Sequence, residues 1–310
     1  MDIPNTAARN RAAVFFMIGA SALISGTSLL AKALGLPMGE VAGLHPFQVT
    51  AGRFWFGLVT LLVFLGARPA LRPGFAGANW GLHMARVACG WLGVTSMFAA
   101  VAAMPVAEAT AISFLAPLVT MALAVLMLGE RLGLTKLAAA ALALVGVTLI
   151  LKPGTAAFQV AGLYALASAG FLGVEAIFIK RLSGSEPALR VLLMSNLLGS
   201  VVSLGVVAFV WAWPVAGQWA LMALLGAVMV GAQACFVQAL KRGEASLVMP
   251  VFYTVLVFAA VYDYALYDVV PDLLAGMGAA LIVAGALLLA FRQPVRAALT
   301  RWRGRRDLRG

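Results

Sequence analysis

Of the chain's 310 residues, 63% are hydrophobic and only 11% charged, and its mean hydropathy is +1.01, whereas soluble domains carry roughly 25% charged residues. No water-soluble fold of this size covers so much apolar surface, and ten spans of about 20 residues each use up most of the length, which leaves little room for a soluble domain. The net charge of +11 does not point to nucleic acid, because the arginines flank apolar runs and fill the tail and do not form one exposed stripe. The predicted spans, in chain order, are residues 12–33, 46–66, 79–102, 106–128, 134–151, 160–180, 187–211, 216–240, 246–267 and 271–291. Each rests on length and apolarity, since a helix that faces both lipid and protein shows only a weak period. The first follows Arg9 and Arg11 but runs past signal-peptide length without a small-residue cleavage site, so it is expected to be retained as a helix.

Charge orients these spans. Arg9, Arg11, Arg68, Arg72, Arg131, Lys136, Lys180, Arg181, Arg190, Lys241 and Arg242 fall at one set of alternate span ends, joined by tail residues Arg292, Arg296, Arg301, Arg303, Arg305, Arg306 and Arg309. The positive-inside rule makes that side cytoplasmic. The opposite ends hold Lys32 and Lys152, while Glu40, Asp268 and Asp272 gather there. Both termini are therefore expected in the cytoplasm, at a bacterial inner membrane, which requires an even number of crossings. The tail is either a topology anchor or a patch for anionic lipid headgroups, which bind at roughly 1 kcal/mol per basic residue. Cys89 and Cys235 lie inside apolar runs, a spacing that gives no metal site or disulfide framework.

The two halves resemble each other. FAAVAAMPVAEATA from Phe98 aligns with ACFVQALKRGEASL from Ala234 at one shift, pairing Val101 with Val237, Ala103 with Ala239, Glu108 with Glu244 and Ala109 with Ala245. Lys32 and Lys180 each end the first span of a half, and LVGVTLI from Leu144 matches VAGALLL from Val283. Five spans per half is an odd number, so the halves enter the membrane from opposite sides, as in the inverted repeats on which many carriers build alternating access around a midplane site. The expected organisation is a cytoplasmic N-terminus at 1–11, a first repeat at 12–152, a second at 160–292 and a basic cytoplasmic tail at 293–310.

The run PVAEATAISFLAPLVTMALAVLMLGERLGLTKLAAAALALVGVTLILKPG, from Pro105 to Gly154, has small residues after Glu108, Pro117 inside the fourth span, a Gly129-Glu130 end and a glycine-bearing fifth span. It resembles the signature of the fourth and fifth helices in the drug/metabolite transporter superfamily, EamA type, and the likeness covers about residues 12–292 in two EamA-like repeats. HPFQVTAGRF, from His45 to Phe54, resembles the start of the second helix in members that move riboflavin or S-adenosylmethionine and in related exporters. The second half departs from the pattern: the place near Glu130 becomes Tyr267-Asp268, and the ninth span has its proline at Pro250, earlier than Pro117 in the fourth. The resemblance implies an all-α membrane protein of ten transmembrane helices, folded as two inverted five-helix repeats around a central cavity. Spans 1, 3, 4, 6, 8 and 9 would line that cavity, with 5 and 10 at the periphery.

A charge at bilayer depth costs at least a few kcal/mol, so each one is expected to face the interior or a wet cavity. Arg53 lies about two turns into the second span and Arg86 about two turns into the third, from opposite sides of the membrane. Glu175 lies in the sixth span at the depth of Arg86, and Asp263 near the outer end of the ninth. Arg86 and Glu175 are either a pair that parts when an anionic substrate arrives or a fixed ion pair. Arg53, Glu175 and Asp263 are candidates for coupling or gating; for Asp263, between Tyr262 and Tyr264, an interfacial aromatic belt is the other reading. His83 is read as a structural hydrogen-bonder, with proton transfer as the alternative. Glu108 and Glu244 open the fourth and ninth spans, where a carboxylate meets the positive helix end, so capping is expected of both. The resemblance places Trp91, Ser113, Gln233 and Tyr253 on lining helices, where aromatic faces and amides suit a flat polar metabolite. Pro117 and Pro250 each remove a backbone hydrogen bond and are the candidate hinges. Gly90, Gly93, Gly226 and Gly231 permit close helix contact, for motion or for ordinary packing.

These features favour a secondary transporter. No GxxxxGK[ST] loop occurs, so a proton or solute gradient, and not ATP directly, is the expected drive, with Glu175 the candidate proton carrier. Two intramembrane arginines lean toward a carboxylate- or phosphate-bearing solute, and the second-span resemblance toward a vitamin- or nucleoside-like one. Export of amino acids or toxic metabolites is the alternative. An intramembrane enzyme needs a metal cluster, paired aspartates or a nucleophile with its base, which two histidines near span ends do not supply. No metal and no cofactor are expected; the expected partners are a small metabolite, anionic lipid headgroups and protons, with no nucleic acid.

Overall fold

The computed structural model describes residues 3–35, 37–38, 41–103, 112–151, 160–267, 273–274 and 276–288. Their helices follow the apolar runs: α1 (Ile3–Gly35), α2 (Pro46–Ala67), α3 (Trp80–Ala103), α4 (Ala116–Leu128), α5 (Leu134–Leu151), α6 (Val160–Ser185), α7 (Ala188–Val207), α8 (Ala216–Arg242), α9 (Ala245–Phe252), α10 (Thr254–Tyr267) and α11 (Gly276–Leu288). α9 and α10 together occupy the ninth predicted span, so each of the ten spans has its helix. Six helical stretches, Ala8–Gly35, Pro46–Ala67, Gly162–Ser185, Ala188–Val207, Ala216–Arg242 and Ala245–Tyr262, are long and apolar enough to cross a bilayer, and three more apolar helices are shorter. Large apolar side chains stand outward on several of them, Leu126, Leu163 and Val201 among them. In water such a surface would aggregate; against lipid it has no such cost.

Local chemistry sets the helix ends. The His45 side chain accepts a hydrogen bond from the Phe47 amide, and Pro46 occupies the first turn of α2, where its missing N–H loses nothing. α4 stops at Gly129, whose φ of +65° is left-handed, a conformation that glycine adopts without a Cβ clash.

The two halves interleave. α1 packs along α8 and α3 along α6, the same two positions with the halves exchanged, and α4 lies on α6 as α9 and α10 lie on α1. The closest crossings run through glycine. A Cβ on Gly226 would fall 2.6 Å from the Gly57 nitrogen, and one on Gly146 2.5 Å from the Gly278 carbonyl oxygen, so α2 meets α8 and α5 meets α11 backbone to backbone. The chain is thus an all-α membrane protein of two five-helix halves in inverted repeat, and its helices find their main partners across the repeat boundary.

Candidate functional site

Where the halves interleave, the helices form a cavity of about 280 Å³. It is lined by Arg53 of α2, Arg86 of α3, Glu175 of α6, Gln233 and Phe236 of α8, Met249 and Phe252 of α9, and Ser113, Phe114, Pro117 and Thr120 around the start of α4. A smaller lobe of about 100 Å³ runs past Thr50, Phe54, Gly90, Trp91 and Ser195. The two lobes share Arg53, Leu172, Glu175 and Gln233, which form a polar waist between them. The structure therefore brings together Arg53, Arg86, Ser113, Pro117, Glu175 and Gln233 at the main lobe, with Trp91 in the smaller one. Tyr253, fully buried, and Pro250, also buried, lie next to that lining and outside it.

The two arginines are held differently. Arg86 is 2% exposed; its Nη1 donates to the Val191 carbonyl at 3.0 Å, and its Nε faces Glu175 Oε1 at 3.6 Å, an ion pair too long for a hydrogen bond. Gly90 makes room for that carboxylate, because a Cβ there would lie 3.1 Å from the Glu175 carboxyl carbon. The Arg53 guanidinium instead stacks 4.5 Å from the centroid of the Phe54 ring, a modest cation–π contact. Gln233 is oriented by Asn196, whose Nδ2 donates to Gln233 Oε1 at 3.0 Å and to the Leu192 carbonyl at 2.9 Å.

Three buried donors at this site, Arg53 Nε, Arg86 Nε and Trp91 Nε1, have no hydrogen-bond partner among the described residues. An unmet buried donor costs about 1–3 kcal/mol, and here two guanidinium groups face one carboxylate. The cavity is thus positive and rich in donors at its waist, with the rings of Phe114, Phe236 and Phe252 along the main lobe.

Helix interruptions frame the main lobe. The chain turns at Phe114 and Leu115 just before α4, and again at Tyr253 between α9 and α10. Pro250 accounts for the second interruption, since it lacks an N–H and α9 ends two residues later. Pro117 differs from the sequence expectation of a mid-helix proline. It sits in the first turn of α4, where a proline has no hydrogen bond to lose, so it starts a helix after the break. The repeat shift pairs Phe114 with Pro250 and Pro117 with Tyr253, and the structure joins the two interruptions: the Tyr253 hydroxyl donates to the Phe114 carbonyl at 2.7 Å, with the rings 6.0 Å apart.

At the helix ends, Glu244 corrects one expectation. It makes no side-chain cap on α9 and pairs with Lys136; the cap is supplied from the other half by Glu130, whose carboxylate accepts from the Ala245 and Ser246 amides at 2.8 and 2.9 Å. The Gly129-Glu130 pair was visible in the sequence, but its partner was not. His83 is a structural hydrogen-bonder, its Nε2 3.0 Å from Glu186 Oε2, while Glu186 Oε1 accepts from the Asn79 amide at 2.8 Å. Burial pushes the Glu186 carboxyl up, but the Asn79 N–H, His83 and Arg190 outweigh it and hold the group below the ordinary carboxylate range. Asp263 lies on α10 with its side chain outside the described residues, and Glu108 and the arginine tail lie outside them altogether. Among the described residues no group of three His, Cys, Asp or Glu side chains is arranged to hold a metal.

Comparison with known proteins gives two matches to the EamA-like transporter family, over residues 11–152 and 159–291. The S-adenosylmethionine uptake transporter of Rickettsia prowazekii is 28% identical over 273 residues, covering 86% of this chain and 90% of that protein. The pseudopaline exporter of Pseudomonas aeruginosa is 26% identical over 235 residues, 74% and 82% of the two chains. The riboflavin transporter of Rhizobium johnstonii is 28% identical over 208 residues, 67% and 69%. A crystal structure of a protein with 24% identity shares the fold at a TM-score of 0.75, covering 89% of this chain and 96% of that one.

Proposed function

The chain belongs to the EamA-like transporter family, and from that premise we propose that it carries a small organic metabolite bearing a carboxylate or phosphate group, bound in the two-lobed cavity and exposed to each side of the membrane in turn. That the chain is a multi-pass membrane transporter of small metabolites and no enzyme follows from the family and from relatives that are themselves transporters. The anionic reading rests on one observation, the excess of buried guanidinium over carboxylate, with donors left unmet at Arg53, Arg86 and Trp91. An anionic group at the waist meets Arg53 and competes with Glu175 for Arg86 Nε, while aromatic rings in both lobes take up a flat body.

Uptake and export both occur among the relatives, and direction is set by gradients. The pseudopaline exporter supports export of amino-acid-like metabolites as the second reading. The basic residues Arg68, Arg72, Arg181, Arg190, Lys241 and Arg242 at one set of helix ends support a bacterial inner-membrane placement with both termini cytoplasmic. In this reading the basic tail rests on anionic headgroups, and Glu175 carries the coupling proton.

The test is transport in proteoliposomes with labelled S-adenosylmethionine, riboflavin, amino acids and organic anions, with and without a pH gradient. The expected result is accumulation of at least one carboxylate- or phosphate-bearing solute, lost in Arg53→Gln. Transport confined to solutes without an anionic group, at equal rates in Arg53→Gln, would overturn the proposal.

A further inference from the structure

We infer that Glu130 is the positioning residue that closes the cavity toward one membrane face, by latching the first half of the chain onto the start of α9. The purpose of such a closure rests on the carrier reading above; the latch itself rests on geometry. Ala245 to Met249 are each 5% exposed or less, and Met249, one turn beyond the helix start, lines the main lobe. The start of α9 is therefore the floor between the cavity and that face.

Glu130 grips the floor with both oxygens. Oε1 accepts from the Ala245 amide at 2.8 Å, and Oε2 from the Ser246 amide at 2.9 Å and the Ser246 hydroxyl at 2.5 Å. These are charge-assisted bonds to the positive end of a helix, and the left-handed Gly129 turns the chain out of α4 immediately before Glu130. Lys136, at the start of α5 and 5% exposed, adds a second strap: its Nζ donates to Ser246 Oγ at 2.7 Å and to the Arg131 carbonyl at 3.0 Å, and it pairs with Glu244. Lys180, near the end of α6, donates to the Leu240 carbonyl at 2.5 Å and also to that of Gly243. The α8–α9 turn is thus held by charged groups from both halves of the chain.

A permanent joint is built more simply from uncharged close packing, as at the glycine crossings of α2 with α8 and α5 with α11. Charged bonds suit a joint that opens, because groups released into water exchange protein partners for water and the net cost of parting is small. When this face opens, the Glu130 carboxylate and the first amides of α9 are hydrated in place of being paired.

The experiment reads sidedness and needs no substrate. In a Cys89→Ser/Cys235→Ser background, Val237→Cys places a thiol in the main lobe, and a membrane-impermeant maleimide is applied from each face of sealed vesicles. Glu130→Ala is expected to raise labelling from the Glu130 face by about ten-fold, the bias that one charge-assisted bond supplies, and to leave labelling from the opposite face unchanged or lower. Glu130→Gln, which keeps an acceptor of the same shape, should raise it less. Equal labelling with and without Glu130, or a rise that is equal from both faces, overturns the inference. If Glu130→Ala does not fold, Ser246→Ala and Glu130→Gln carry the same readout. A chain that moves none of the solutes above still answers this question, so the two readings fail separately.

Discussion

Replacing Arg86 and replacing Arg53 should have opposite consequences. Arg86→Gln withdraws a guanidinium from Glu175 and from the Val191 carbonyl while the carboxylate stays inside the bundle. Breaking a buried pair from one side costs about 3–5 kcal/mol; Glu175 is 22% exposed, so water takes up part of the loss and the expected value lies near ~3 kcal/mol. Glu175→Gln alone leaves two cationic groups facing each other, and the double variant should be more stable than the sum of the single losses by about 1–3 kcal/mol. Among the described residues Arg53→Gln gives up no hydrogen bond or close ion pair, only its stacking on Phe54, about 0.5–1 kcal/mol, and a longer-range attraction to Glu175, yet it removes a cationic donor expected to meet the substrate, worth about 1.5–3 kcal/mol or ten-fold and more in transport. Thermal unfolding in detergent and uptake in proteoliposomes measure the two effects separately. If Arg53→Gln proves the destabilised variant, or if Arg86→Gln and Glu175→Gln add without coupling, the division of roles drawn from these contacts is wrong.

Three further outcomes are expected. Gly90→Ala puts a methyl group 3.1 Å from the Glu175 carboxyl carbon; uptake should fall several-fold with a stability loss of about 1 kcal/mol, and wild-type uptake would show that the carboxylate has more room than its packing indicates. Tyr253→Phe removes the bond to the Phe114 carbonyl and should cost about 1 kcal/mol and slow transport, whereas no change in either would show that the junction of the two helix interruptions is dispensable. Because Glu186 is held below the ordinary carboxylate range, its stabilising contribution is full above that range and disappears as pH falls through its lowered value. Glu186→Gln should therefore flatten the acid limb of a stability-against-pH curve, and superimposable limbs would count against it.

The bundle was legible because a bilayer imposes its demands on composition. The apolar run lengths placed every described helix, and the Glu108 and Glu244 repeat exposed the internal symmetry. The charged waist was legible for the same reason, since Arg53, Arg86 and Glu175 are too costly at depth to face lipid. What the sequence concealed depends on which helices become neighbours. Glu244 at a helix start looked like its own cap, but the competing acid, Glu130, comes from over a hundred residues away and takes both amides first. Tyr253 looked like a cavity residue because its helix lines the cavity, yet its hydroxyl faces the Phe114 carbonyl, exposed where the chain turns ahead of α4. Pro117 read as a mid-helix kink because the interruption at Phe114 and Leu115 leaves no mark of its own in an apolar run.

The interleaving of the halves determines what must move. α1 with α8 and α3 with α6 are packed pairs, each with one member from either half, so units that separate on opening need not be the halves themselves. Arg86 on α3 and Glu175 on α6 belong to one such pair, and their ion pair travels with it. Gln233 lies on α8 of the other pair, and Arg53 on α2, which packs on α8. A ligand held between Arg53 at the waist and Arg86 of the main lobe therefore bridges the two units. The Glu130 latch joins the first half to the start of α9, which packs on α4 as well as on α1. A ligand shifts the equilibrium only by the difference between its affinities for the two arrangements. A solute whose anionic group meets both Arg53 and Arg86 favours the arrangement in which the two arginines are close, and one that reaches Arg53 alone has less differential affinity to act with.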